Sequence, residues 1–189
     1  MASVGRAFVA VFPPDSVVDA LDARLASARA SAGPSAAGLR WSPRADWHVT
    51  LRFAGRVGDV ERLVEEVAVA ATVASPVAGV QLTGAGAFPK PRNGSVLWVG
   101  VAESPALAAL AAMVERACVE AGLAPDDRAF NPHVTVARRG RARDLRPLVD
   151  AIGPAPVGDR WTATEVRLMA SDTRPAGAVY TELARFPLD

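Results

Sequence analysis

The chain has 189 residues, half of them apolar, so it can form one ordinary domain or two small lobes that share a core. Its 21 basic residues nearly balance its 20 acidic ones, and a net charge of +1 excludes a strong global attraction to nucleic acid. Because the sequence lacks a long apolar run and a secretory signal pattern, we expect a soluble, cytoplasmic protein that does not enter a membrane.

The first part of the chain alternates apolar strands with amphipathic helices. Residues 6–12 are a β-branched and aromatic run closed by two prolines, which predicts a strand, and a helix follows from Asp15 or Ser16. Residues 31–45 are rich in Gly, Pro and Ser and predict a loop. A second strand over 47–53 and a second helix over 58–74 complete this part.

The rest of the chain repeats this mixture of strands and helices. A turn-rich segment, FPKPRNG, joins the first two strands of this part. The predicted elements are strands near 79–86 and 95–101, a helix over 104–121, a strand over 130–137, a short helix over 143–152, and strands over 162–171 and 178–188.

Both histidines of the chain open the same triplet, His-Val-Thr. His48 lies in the stretch DWHVTLRF, and His133 lies in NPHVTVAR, 85 residues later. From the Val and Thr content of the chain, the chance that both histidines precede Val-Thr is about 3 in 100,000. The repeated triplet therefore needs a physical explanation.

Each histidine strand is flanked by two predicted helices, in the passages 15–73 and 104–152. This pattern indicates an internal duplication whose flanking sequences have diverged. Two such halves would form lobes related by an approximate two-fold axis, with their histidines facing each other across one cleft. The predicted fold is α+β and bilobal, with antiparallel sheets and outer helices around a central cleft, formed by residues 1–189 as a single domain.

Alternation along a strand divides the side chains between two faces. His48, Thr50 and Arg52 share one face of the first histidine strand, and the apolar residues between them share the other. His133 and Thr135 repeat this polar row on the second histidine strand. The apolar residues are explained as core, so the doubled row of imidazole and hydroxyl groups is what remains to be explained.

Three interpretations of the doubled row are weak. A solvated sheet face would explain one such row, but not a pair that includes every histidine of the chain. A zinc site would need further ligands, and neither triplet has an acid or a cysteine nearby on the same face, so we predict no metal. A Ser-His-Asp hydrolase needs only one histidine, and its Gly-x-Ser-x-Gly elbow is missing from the sequence.

The fourth interpretation, paired-histidine acid–base catalysis, fits the pattern best. One neutral imidazole takes a proton from the nucleophile while one imidazolium gives a proton to the leaving group, and an unperturbed pKa near 6.5 suits both roles. Thr50 and Thr135 can donate hydrogen bonds to the non-bridging oxygens of a charged centre between them. Phosphodiester cleavage without a metal or another cofactor uses this set of groups.

The stretches WHVTLRFAG, FPKPRNGSVLWVGV and FNPHVTVAR, in this order, resemble the RNA 2′,3′-cyclic phosphodiesterases of the 2H phosphoesterase superfamily, formerly called 2′-5′ RNA ligases. The resemblance runs from RAFVAVFPP nearly to the C-terminus. It implies a bilobal fold with a central cleft, and metal-free hydrolysis of an RNA 2′,3′-cyclic phosphate end to a 2′-phosphomonoester. It also implies a weak, reversible joining of RNA ends through a 2′-5′ bond.

The resemblance also implies roles for individual residues. His48 corresponds to the proton donor and His133 to the proton acceptor, with the two threonines binding the phosphate. The second motif of the family continues to an arginine at the position of Arg138, which would hold phosphate. Strict alternation places Arg138 on the face opposite to His133, so the strand must end or bend near Ala137.

Two further residues are weaker candidates for the site. Arg52 is directed toward the site by alternation alone and is not a motif position of the family. Phe88, at the start of the turn-rich loop, is a candidate for stacking on a terminal RNA base, although a role as a buried loop anchor explains it equally well.

We expect a monomer that acts on RNA with 2′,3′-cyclic phosphate ends, for example tRNA fragments. An arginine cluster at 138–146 favours an RNA strand beyond the terminal nucleotide. Two alternatives stay open: a cyclic phosphodiesterase for small nucleotides of the ADP-ribose cyclic phosphate type, and a non-catalytic module that binds RNA ends. A binding module would not need two titrating imidazoles and would favour a higher positive charge.

Overall fold

A computed structural model describes residues 4–174 and 177–189 of the chain. The helices are α1 (Asp15–Ala32), α2 (Val60–Thr72), α3 (Pro105–Glu120) and α4 (Arg146–Ile152). The strands are β1 (Val4–Val11), β2 (Arg40–Trp41), β3 (Val49–Val57), β4 (Val77–Phe88), β5 (Gly94–Val101), β6 (His133–Arg143), β7 (Pro156–Ala163), β8 (Glu165–Arg174) and β9 (Gly177–Pro187).

The described strands form one sheet in which neighbours are antiparallel. Their order is β7-β4-β5-β6-β3-β1-β8-β9, and the short β2 pairs with β6. The two histidine strands, β3 and β6, are neighbours at the centre and join through the single residue pair Val49 and Val134. The predicted α+β fold with antiparallel strands is confirmed.

The β3–β6 junction divides the sheet into two halves with four strands each on the main path. Helices α2 and α3 pack on the half that holds β3, whereas α1 and α4 pack on the half that holds β6. Helix α1 therefore follows β1 in the chain but contributes its buried leucines, Leu21 and Leu25, to the opposite half. The bilobal arrangement is as predicted, but the passages 15–73 and 104–152 interlace instead of folding as separate lobes.

The main hydrophobic core lies between the helices and one face of the sheet and extends through both halves. A second, smaller cluster of Phe8, Ala10 and Met169 lies apart from it, with Phe12 and Tyr180 packed against it. Phe8 and Tyr180 of this cluster contact the ring of His48, so the cluster belongs to the face that carries the histidines.

A bulge interrupts β3 just after its threonine. Ala10 of β1 pairs with Thr50, but the preceding Val9 pairs with Arg52, so Leu51 is an extra residue on β3. A bulge reverses the faces of the residues that follow it. Arg52 is consequently turned away from the face of Thr50.

A second bulge interrupts β6 at the corresponding position. Trp98 of β5 pairs with Thr135 and Leu97 pairs with Ala137, so Val136 is the extra residue. Val136 and Ala137 are both fully buried. The bend that the sequence required near Ala137 is this bulge, and it returns the next residue, Arg138, to the face of the histidines.

The sequence prediction missed two strands. β7 begins at Pro156 and occupies an edge of the sheet, where a proline is tolerated because its missing N–H is not needed for pairing. β2 lies inside the segment 31–45 that was predicted as a loop. Of the helices in the described residues, none is long and apolar enough to cross a membrane.

Candidate active site

The histidine face of the sheet lines two adjoining cavities of about 520 and 740 Å³. Four residues line both cavities: Thr50, Phe53, His133 and Arg138. The other two motif side chains, His48 and Thr135, line the smaller cavity. All four residues of the repeated motif, together with Arg138, therefore meet in one cleft.

The junction of β3 and β6 relates the two motifs by an approximate two-fold symmetry. Val49 pairs with Val134 in antiparallel register. One residue to either side of this pair, the same register places His48 across from Thr135 and Thr50 across from His133. Each imidazole thus has the hydroxyl of the other motif as its cross-strand neighbour.

Both imidazole rings are oriented by the same kind of hydrogen bond. Nδ1 of His48 lies 2.6 Å from the carbonyl oxygen of Asp46, and Nδ1 of His133 lies 2.7 Å from that of Asn131. A carbonyl oxygen only accepts, so Nδ1 carries the proton in each ring and donates it. Nε2 is then the atom of each ring that exchanges protons with a substrate.

His48 is held by aromatic side chains from neighbouring strands. Its ring is stacked on Phe8 with the centroids 4.5 Å apart, and Tyr180 meets it edge-on at 5.4 Å. Phe12 lies 5.6 Å away at a tilt. These contacts restrict the ring to one orientation and remove most of its surface from water.

His133 has a comparable aromatic environment from the other half of the sheet. Phe88 meets its ring edge-on with the centroids 5.1 Å apart, and Trp98 lies 5.9 Å away. The indole of Trp98 covers Gly86 so closely that a Cβ at that position would lie 2.2 Å from its Cζ2 atom. Only glycine at position 86 leaves the indole its place beside His133.

Burial lowers the pKa of both histidines. For His48, burial is the main cause and brings the pKa to about 4, with the charges of His133 and Arg138 adding to it and the hydrogen bond to Asp46 opposing it. The pKa of His133 is also lowered by burial and by Arg138, against the hydrogen bond to Asn131. Burial therefore favours the neutral form of both imidazoles at pH 7.

Arg138 lies close to both catalytic candidates. Its charge adds to the burial that lowers the pKa of His48 and of His133, and it opposes the burial that raises the pKa of Tyr180, which lines the same cavity. Among the described residues it has no hydrogen-bond or ion-pair partner, and its side chain is exposed. An unpaired guanidinium that lines the same cavity as both imidazoles is suited to hold an anionic group there.

Arg52, which alternation directed to the phosphate, has a different environment. It is 8% exposed, and its guanidinium is ion-paired with Glu115 of α3. It also donates to the carbonyl oxygen of Ala124 at 2.7 Å and lies 3.4 Å from Asp126. The bulge at Leu51 is the cause, because it turns Arg52 toward α3, where acidic and carbonyl groups engage its guanidinium. The alternation that directed Arg52 to the phosphate therefore does not hold beyond Leu51.

Several cleft residues were not predicted from the sequence. Phe53 takes the position in the first motif that Arg138 has in the second, five residues after the histidine, and it is 40% exposed between the two cavities. Arg40 was missed because it lies in a predicted loop, and Tyr180 because it lies far from either motif. Phe88 lines the larger cavity beside His133, so its predicted stacking role stays open.

Among the described residues, no group of three or more His, Cys, Asp and Glu side chains is placed to hold a metal ion. The acidic groups of the larger cavity are already paired with arginines, Glu115 with Arg52 and Asp126 with Arg128. The hydrogen bond from the Arg128 side chain is the first cause of the lowered pKa of the Asp126 carboxyl.

Two histidines with neighbouring hydroxyls on adjacent antiparallel strands match the paired motif that resembles the 2H phosphoesterases, and comparisons with known proteins identify this class of protein. The model of the 2′-5′ RNA ligase superfamily matches residues 13–175. An RNA 2′,3′-cyclic phosphodiesterase from Aeropyrum pernix is 32% identical over an alignment 171 residues long, which covers 85% of this chain and 92% of the relative. This chain belongs to the 2′-5′ RNA ligase superfamily and is an enzyme, as the motifs indicated.

Solved structures are similar over nearly the whole chain. A Thermus thermophilus protein, TT0787, is 25% identical with a TM-score of 0.74, and 97% of each chain is covered. Escherichia coli LigT complexed with 3′-AMP is 28% identical with a TM-score of 0.71, and 98% of each chain is covered. The fold around the cleft is therefore shared with proteins of this kind.

Proposed function

We propose that the chain hydrolyses RNA 2′,3′-cyclic phosphate ends to 2′-phosphomonoesters by paired-histidine acid–base catalysis, without a metal ion. The observation that carries the proposal is the meeting of both His-x-Thr rows and the unpaired Arg138 in one cleft. Two imidazoles whose Nδ1 atoms are fixed by carbonyl oxygens leave two Nε2 atoms for proton transfer. This is the set of groups that in-line displacement at phosphorus needs.

In the proposed reaction, water attacks the cyclic phosphorus as the bond from phosphorus to O3′ breaks. One imidazole takes the proton from the water, and the other, as an imidazolium, gives a proton to O3′. Thr50, Thr135 and Arg138 hold the non-bridging oxygens, whose negative charge increases in the transition state. We assign His48 as the proton donor and His133 as the acceptor. In a weak 2′-5′ joining of RNA ends, a 5′-hydroxyl takes the place of the water and O3′ leaves as before, so the roles are the same; cleavage of the 2′-5′ bond, which reverses the joining, exchanges them.

We further propose RNA ends such as tRNA fragments as the substrate and the cytoplasm as the location. The name of the Aeropyrum relative, RNA 2′,3′-cyclic phosphodiesterase, supports RNA as the substrate class. Both histidines come from one chain and one continuous sheet, which supports action of residues 1–189 as a single unit and a monomer.

The product of the reaction tests the proposal directly. With a short RNA that ends in a 2′,3′-cyclic phosphate, we expect one product, the 2′-phosphate, because a cleft with fixed donors holds the ring in one orientation. Chromatography against 2′- and 3′-phosphate standards, in the presence of excess EDTA, measures both the product and the need for a metal. The rate with EDTA should equal the rate without it.

A 3′-phosphate product would contradict the proposed orientation and the assignment of His48 as donor. A mixture of the two products would mean that the cleft does not orient the ring. Loss of activity with EDTA that zinc or manganese restores would contradict the metal-free mechanism.

The pH dependence of the rate follows from the lowered pKa values. One imidazole must be charged while the other is neutral, so kcat/KM, which reports the free enzyme, should follow a bell in pH. The pKa of His48 is about 4 and that of His133 lies below its usual 6.5. The maximum of kcat/KM should therefore lie on the acid side of pH 6.5, and kcat/KM should fall as pH rises further because both rings are then neutral.

The kcat profile should be shifted to higher pH, because a bound phosphate anion stabilises the imidazolium and raises its pKa. Both profiles can be measured between pH 4 and 9 with one fluorescent cyclic-phosphate RNA. A kcat/KM maximum above pH 7 would show that a histidine of the free enzyme has a raised pKa, against the burial of both rings.

A further inference from the structure

The two cavities of the cleft differ in charge. Of the described residues that line the smaller cavity, four are arginines and Asp46 is the acid. In the larger cavity the additional arginines, Arg52 and Arg128, are each ion-paired with a carboxylate that lines the same cavity. The smaller cavity is therefore strongly positive, whereas the pairs in the larger one are balanced.

Three arginines of the smaller cavity have no partner. Arg174 is paired with Asp172 at 2.8 Å. The side chains of Arg6, Arg40 and Arg138 have neither a hydrogen bond nor an ion pair within the described residues, and all three are exposed. Three guanidinium groups without a partner in the described part of the chain therefore line one cavity.

Arg40 and Arg138 are direct cross-strand partners. The register of β2 on β6 pairs these two residues, so their side chains leave the same face of the sheet within about 5 Å of each other at Cβ. Like charges at such positions are destabilising, and an anion bound between them would remove the repulsion. The proposed function uses only Arg138, at the reacting phosphate, which leaves Arg40 and Arg6 without a role.

We propose that the smaller, basic cavity binds the phosphodiester backbone of the RNA strand on the 5′ side of the reacting end, with Arg40 and Arg6 as its contacts. This inference rests on the proposed function. The terminal nucleoside then lies in the larger cavity, where Phe53 and Phe88 offer rings for stacking. The carboxylates there already neutralise Arg52 and Arg128, so the larger cavity offers a backbone phosphate less positive charge than the smaller one does, and this difference favours exit of the strand through the smaller cavity.

The direction of the strand can be tested with a series of substrates that share one terminal base. The series is a nucleoside 2′,3′-cyclic phosphate with a 5′-hydroxyl, the same compound with a 5′-phosphate, and a tetranucleotide with the same cyclic end. For the unmodified enzyme we expect kcat/KM to rise roughly tenfold at the first 5′-phosphate, as for a charge-assisted contact, and again for the tetranucleotide.

Arginine variants assign this gain to the basic cavity. Arg40→Gln and Arg6→Gln should each lower the ratio of tetranucleotide to 5′-hydroxyl kcat/KM by roughly tenfold. Each should also reduce the slope of log(kcat/KM) against log salt for the tetranucleotide by about 0.7. Arg160→Gln is the matched control: it removes the same charge from an exposed position of β7 that lines neither cavity, and it should change neither quantity.

The outcomes separate this inference from the proposed function. Hydrolysis of all three substrates with equal kcat/KM, or variants of Arg40 and Arg6 that behave like Arg160→Gln, would overturn the strand site alone. A gain that stops at the 5′-phosphate would also overturn it and favour a small nucleotide as substrate. An unmodified enzyme that hydrolyses none of the series would overturn the proposed function.

Discussion

Replacement of either histidine with alanine is expected to lower turnover of a cyclic-phosphate RNA by roughly 10²–10⁴-fold. Each imidazole has a separate task, proton removal from water or proton delivery to O3′, and the one that remains cannot perform both at once. The two residues act as a unit, so the His48→Ala/His133→Ala double variant should be far less impaired than the product of the single losses. Single-turnover rates of the four proteins provide the measurement.

A sulfur substrate distinguishes the two histidines. In a cyclic phosphate with sulfur in place of O3′, the leaving thiolate needs no proton. The variant that lacks the acid should therefore lose less turnover on this substrate than on the oxygen substrate. If His48 is the donor, the sulfur substrate should rescue His48→Ala and not His133→Ala. Rescue of His133→Ala alone would exchange the assignments, and a single variant with nearly normal turnover on the oxygen substrate would refute the paired mechanism.

His48→Ala also removes a ring that is stacked on Phe8, so loss of folding must be separated from loss of chemistry. The thermal unfolding of each variant supplies that control. A variant that is folded at the assay temperature but inactive supports a chemical role, whereas His48→Ala that recovers activity when the temperature is lowered would point to packing.

The repeated triplet was sufficient to predict four side chains that meet in the cleft. The triplet is a local pattern, because the histidine and the threonine that carry the proposed chemistry are only two positions apart in each motif. These residues are His48 and Thr50 in the first motif, and His133 and Thr135 in the second. The α+β class also follows from local patterns, because strand and helix periodicities extend over several residues. What the sequence did not reveal depends on pairing between distant segments.

The packing of the helices is one such long-range property. α1 and α4 contact each other although more than a hundred residues separate them, and nothing in the periodicity of α1 specifies which half of the sheet it covers. The two passages with helix, histidine strand and helix were therefore recognised as a repeat, while their interlacing was not.

The bulges are the second such property, and they decide which side chains face the substrate. Alternation assumes an unbroken ladder, and neither Thr-Leu-Arg-Phe nor Thr-Val-Ala-Arg contains a glycine or a proline that marks an interruption. The extra residue in β3 places Phe53 instead of Arg52 on the cleft face of the sheet. The extra residue in β6 brings Arg138 to the same face. The family resemblance identified Arg138 where alternation could not.

Arg52→Met is expected to destabilise the protein by about 3 kcal/mol while leaving turnover per folded molecule nearly unchanged. The change leaves the Glu115 carboxylate, whose side chain is 27% exposed, without its cation, and the carbonyl oxygen of Ala124 without its donor. An uncompensated buried charge commonly costs 3–5 kcal/mol, and partial exposure of the carboxylates places this case at the lower end. Urea unfolding measures the loss.

Arg128→Met is the matched control, because it removes the other arginine beside Asp126 from a site where that arginine is 75% exposed. An exposed ion pair contributes about 1 kcal/mol or less, so the two methionine variants should differ clearly in stability. If Arg52→Met is too unstable to purify, Arg52→Lys retains the charge but loses the planar fork that contacts several acceptors, and an intermediate loss is expected. Stability close to that of the unmodified protein, combined with a large rise in KM, would instead mean that Arg52 holds phosphate, as alternation along β3 had predicted.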